Sequence, residues 1–67
     1  MNITPMTILY YMLDVDNFPK MVIRRKHNSY SYWNYATKKW YGYSDAKYLT
    51  KTEVDEITAM RIIKENT

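Results

Sequence analysis

The chain has no cysteine, one histidine, one glycine and two prolines in 67 residues. Without cysteine there is no disulfide, and a lone imidazole makes no metal cluster. Two staples that commonly hold small domains together are therefore missing. One glycine also leaves no phosphate-cradling loop. The longest apolar run, residues 8–13, contains two tyrosines and is far too short to span a bilayer. Residues 1–5 place no basic stretch before an apolar one, so no secretory signal is read there. The absence of cysteine fits a reducing compartment. The expected location is cytoplasmic, with no membrane partner.

The chain is rich in aromatics. Residues 28–43 hold both tryptophans and five of the eight tyrosines, just after the basic run Arg24-Arg25-Lys26. Charge follows the same division. Residues 20–47 carry seven basic side chains and one acid, a net +6, while the rest carries three basic side chains and six acids, a net −3; together they make the +3 of the whole chain. A basic, aromatic middle is flanked by acidic ends. The mundane use of such lysines is to guard sheet edges against aggregation. The functional use is an anionic partner.

The pattern of residues predicts a single α+β domain over residues 1–67. It is an antiparallel meander of three to four strands with one short C-terminal helix packed on one face. Residues 6–13 read as a strand that is apolar on both sides. Asp14, Asp16, Asn17 and Pro19 mark a turn. Residues 20–26 form the second strand, with Met21 and Ile23 inward and Val22, Arg24 and Lys26 on the other face. His27-Asn28-Ser29 is a tight turn in which Asn28 tolerates a left-handed conformation. Residues 30–35 and 39–43 make an aromatic hairpin. A two-residue turn at Thr37-Lys38 would set Trp33 opposite Gly42, with an indole covering the bare glycine. A longer loop built on a type I turn is the alternative. Residues 48–54 are ambiguous. A helix from Thr52 onward scatters its apolar residues. A helix capped by Thr58 gathers Ala59, Met60, Ile62 and Ile63 on one face, with Ile57 and Ile62 as a hydrophobic staple. The second reading is adopted.

Catalysis and ligation find no support. Asp14-Val15-Asp16-Asn17 begins like a calcium loop, but Phe18, Pro19 and Arg25 stand where an oxygen ligand, a glycine and the bidentate glutamate are needed. His27 sits alone in a polar turn. Ser29 and Ser31 lie near it without a third, orienting group. Glu53, Asp55 and Glu56 read as a solvated acidic segment with no sign of burial. No enzyme, cofactor, metal or small-molecule substrate is expected. Seven aromatics in sixteen alternating residues populate both sheet faces, and one helix covers only one of them. The second face is therefore expected to stay wet or meet a partner.

The expected binding residues are Tyr30, Tyr32, Tyr41 and Tyr43, with Arg24, Arg25, Lys38 and Lys39 beside them. Tyrosine, tryptophan and arginine dominate protein-binding hot spots, so the leading expectation is another protein or a second copy of the chain. The alternative is single-stranded nucleic acid, with bases stacked on the tyrosines and phosphates on the basic side chains. Against it, the chain lacks the glycine-aromatic signature of the common RNA-binding sheet. In composition alone, the abundance of Tyr, Lys, Ile and Asn resembles short reading frames of low-GC Gram-positive bacteria and their phages, a likeness that implies no activity.

Overall fold

Ile8–Leu13 and Met21–Lys26 are runs of β-branched, aromatic and long aliphatic side chains, and each forms a six-residue strand, β1 and β2. The computed structural model describes residues 7–14 and 20–66. Met6, residues 1–5 and the expected turn around residues 15–19 lie outside the described residues. Ser29–Asn34 is β3 and Lys39–Gly42 is β4. A 3₁₀ segment, Ser44–Tyr48, follows. The chain then forms β5, Thr52–Val54, and a C-terminal helix, α1, Glu56–Glu65.

The strands make one antiparallel sheet in the order β4-β3-β2-β1-β5. The expected meander is β1 to β4, and the expected helix is α1. The strand count is corrected to five. Thr52-Glu53-Val54 is too short to show an alternation in sequence. It becomes a strand by pairing with Tyr10, Tyr11 and Met12 of β1.

The β2–β3 and β3–β4 turns each depend on a left-handed residue that is not glycine. Lys26 pairs with Ser29, so the first turn is His27-Asn28. The positive φ falls on His27, at 54°, and not on Asn28. In the second hairpin Asn34 pairs with Lys39, which leaves a four-residue loop. The Asn34 side chain builds that loop. Its Oδ1 accepts the N–H groups of Ala36 at 2.9 Å and Thr37 at 3.1 Å. Its backbone carbonyl accepts from Lys38 at 2.7 Å, and Lys38 closes the loop with φ 58°. The two-residue Thr37-Lys38 turn is therefore replaced by the longer loop. Trp33 faces Trp40, Tyr32 faces Tyr41, and Gly42 faces Ser31. No indole covers the glycine, and a Cβ added there would meet nothing within 4 Å. Because the shift is by two residues, every side chain keeps its face.

The helix side of the sheet carries Tyr10, Met12, Val22, Trp33, Trp40 and Val54. With Ala59, Ile62 and Ile63 of α1 they form the core. Both tryptophans are thus core residues, with rings 5.3 Å apart and tilted 68°. Trp33 Nε1 is buried and has no hydrogen-bond partner among the described residues. The cap of α1 is Asp55, three residues before the expected Thr58. Asp55 Oδ1 accepts the Thr58 N–H at 2.7 Å, so Thr58 serves the first turn instead of preceding it. The earlier start turns Ile57 to solvent, 70% exposed, so no staple forms with Ile62.

Candidate interaction surface

Alternation puts Leu9, Tyr11, Met21, Ile23, Arg25, Tyr30, Tyr32, Lys39 and Tyr41 on the face opposite the helix. This face was expected to stay wet or meet a partner; the chain itself covers part of it. Ile23 is fully buried, as is Ala46 in the 3₁₀ segment. β4 and β5 lie at opposite edges of the sheet, so the chain between them must cross it. It crosses on this face, where the Lys51 ammonium stands over the rings of Tyr11 and Tyr30, at 5.0 and 5.4 Å. Lys51 Nζ also donates to the carbonyls of Ala46 at 2.9 Å and Leu49 at 3.2 Å. One lysine thus ties the crossover to itself and seats it on two tyrosines. A charge-assisted bond of this kind contributes about 1.5–3 kcal/mol, and a cation over a ring about 0.5–2 kcal/mol.

The crossover covers the middle of the face and leaves its β3–β4 margin open. There Tyr32 stacks on Tyr41, with centroids 5.9 Å apart, and meets Tyr43 edge-on at 5.6 Å. Tyr41 is 39% exposed, whereas Tyr32 and Tyr43 are half-buried. Beside the row is a shallow depression lined by Asn28, Ser29, Tyr30, Ser31, Gly42, Tyr43 and Ser44.

The expected binding residues do not all meet. The four tyrosines share this face with Arg25 and Lys39. Tyr30 lies under the crossover, holding Lys51 and, at 5.5 Å, the Arg25 guanidinium. Arg25 Nε also donates to the His27 carbonyl at 2.7 Å. Arg24 points to the helix side, where its guanidinium lies 4.3 Å from the Trp40 ring. Lys38 closes the hairpin loop and is exposed, as is Lys39. Lys51 and Tyr11 were not anticipated. Lys51 falls in the stretch that showed no periodicity, and nothing local marks it as a latch.

Among the described residues no three His, Cys, Asp or Glu side chains come together as a metal site. No helix among them is long and apolar enough to cross a membrane. No family model, curated protein or solved structure matches the chain.

Proposed function

We propose that the chain is a non-enzymatic binding module that engages another protein through the β3–β4 margin, centred on Tyr41. The observation that carries this reading is the exposed Tyr41 ring. It is stacked on a half-buried Tyr32 at the part of the sheet that the crossover leaves open. A rigid, partly exposed tyrosine offers large contact area at small entropic cost, with a hydroxyl to orient the partner. The single-strand nucleic-acid reading is weaker. It needs arginines that are free to track phosphates, and Arg24 and Arg25 are instead spent on Trp40, Tyr30 and the His27 carbonyl.

The test compares the wild type with Tyr41→Ser in affinity capture and in oligonucleotide titration followed by Trp33 and Trp40 fluorescence. Tyr41→Ser should lose a protein that the wild type retains. Single strands should produce no salt-sensitive quenching. Strong quenching at low salt that fades as salt rises would replace the protein reading with the nucleic-acid one.

A further inference from the structure

We infer that the partner fitted to this margin is a second copy of the chain, joined antiparallel through the outer edge of β4. This inference rests on the reading of Tyr41 as the centre of the surface. The phase of the β4 hydrogen bonds comes from one contact. The Tyr43 N–H donates to the Tyr30 carbonyl at 2.8 Å, which makes that opposed pair a hydrogen-bonded one. In an antiparallel ladder such pairs alternate with pairs whose backbone groups point away. Tyr32–Tyr41 is then hydrogen-bonded inward as well. The N–H and C=O of Trp40 and Gly42 point out of the sheet, toward an added strand. β4 is the terminal strand of the sheet, so these outward groups meet no neighbouring strand among the described residues.

These four groups are self-complementary. If Trp40 of one copy pairs with Gly42 of the other, and the reverse, a two-fold axis passes between the two Tyr41 residues. Tyr41 faces its own counterpart as a non-hydrogen-bonded pair, the arrangement in which cross-strand side chains come closest. The two exposed rings then cover each other. Lys39 falls opposite Tyr43 of the second copy, and Lys38 opposite its Ser44, beside Asp45. The edge is basic at the Lys38-Lys39 end and carries Asp45, the sole acid of residues 20–47, at the other. The two-fold therefore sets Lys38 and Lys39 of one copy toward Asp45 of the other and keeps the Lys38-Lys39 pairs of the two copies apart. The interface is isologous and closes on itself, so it consumes the β4 edges and ends at a dimer.

The β5 edge does not fit a copy in this way. It is three residues long, with Glu53 on it and Asp55-Glu56 directly after. Two such edges would bring like charges together, a common guard against pairing.

Multi-angle light scattering on the eluting protein, from low micromolar to near-millimolar loading, reads the outcome directly. The expected mass moves from one chain of 8.2 kDa toward twice that value. Tyr41→Lys sets like charges at the axis and should hold the chain at the monomer mass across the range. Gly42→Pro removes an outward N–H that the monomer does not use, a substitution tolerated at a sheet edge, and should do the same. Circular dichroism confirms that each variant is folded. A wild type that stays monomeric near millimolar overturns the dimer, and a protein retained by wild type but not by Tyr41→Ser would then leave the Tyr41 surface standing with a different partner. A dimer that survives both substitutions in folded variants overturns the β4 edge as its seat.

Discussion

Single side chains carry unusual weight in a sheet that has one glycine and no covalent staple. His27 holds a left-handed conformation that costs an L-residue about 1–2 kcal/mol, somewhat less for a residue whose short polar side chain bonds locally. His27→Gly is expected to raise stability by about 0.5–1 kcal/mol in urea unfolding, since the glycine pays no such penalty. Unchanged or lower stability would mean the turn is not strained at this position. Lys51→Met keeps the stem and removes the charge from two carbonyls and two rings. It should cost about 1–3 kcal/mol in the same assay. Tyr35 donates its hydroxyl to the Lys20 carbonyl at 2.6 Å, and burial pushes the phenol above its ordinary pKa of 10.0. A raised pKa in the folded state means that the contribution is full below pH 10.0 and is lost as pH climbs through the higher folded value. Tyr35→Phe should therefore be less stable than wild type at neutral pH, and the gap should close above pH 10.0. A gap that persists in strong alkali would show that the hydroxyl is not what Tyr35 contributes.

At the scale of elements, the cap and the crossover decide whether α1 and β5 reach the sheet. Asp55 is held below its ordinary pKa of 3.8 by Thr58, through the hydroxyl first and then the backbone N–H, with the charge of Arg61 assisting. A depressed carboxyl contributes above its unfolded pKa and loses that contribution as pH falls through the lower folded value. Asp55→Ala should lower Tm at neutral pH, and the difference should vanish in acid below pH 3.8. An equal difference at both pH values would assign the loss to packing. The crossover is short for its task. From β4 to β5 are four inter-strand steps, about 19 Å in all. The five residues of 3₁₀ structure cover about 10 Å, and Leu49 to Lys51, extended, about 10 Å more. Deleting Leu49 and Thr50 should abolish cooperative unfolding, whereas inserting two glycines there should cost less than about 1 kcal/mol. A deletion variant that unfolds cooperatively would show slack in the crossing.

The elements legible in the sequence were those with a strong period. An apolar run bounded by turn residues announced β1, alternation announced β2 to β4, and the apolar spacing of residues 59–63 announced a helix. The parity of Tyr30, Tyr32, Tyr41 and Tyr43 was readable too, because a register error of two residues leaves every face unchanged. Three features were hidden. Asn34 builds its loop with a side chain, which no turn dipeptide reveals. Asp55 and Thr58 are both good caps, and the apolar pattern favoured the wrong one. β5 and the Lys51 latch depend on partners about 40 residues earlier in the chain, so no local window contains them.

Taken whole, the molecule uses each sheet face itself: the helix lies on one and its own crossover on the other. Among the described residues the β3–β4 margin stays open, and it is there that the proposed partner binds. Tyrosine nitration mapped by mass spectrometry, at dilute and concentrated protein, tests this most directly. In dilute solution Tyr41 and Tyr48, 39% and 76% exposed, should react first, and Tyr10, only 8% exposed, should resist. At high concentration Tyr41 should become protected while Tyr48 stays reactive. A Tyr41 that resists in dilute solution would contradict the open margin. A Tyr41 that reacts equally at both concentrations would contradict its burial against a second copy.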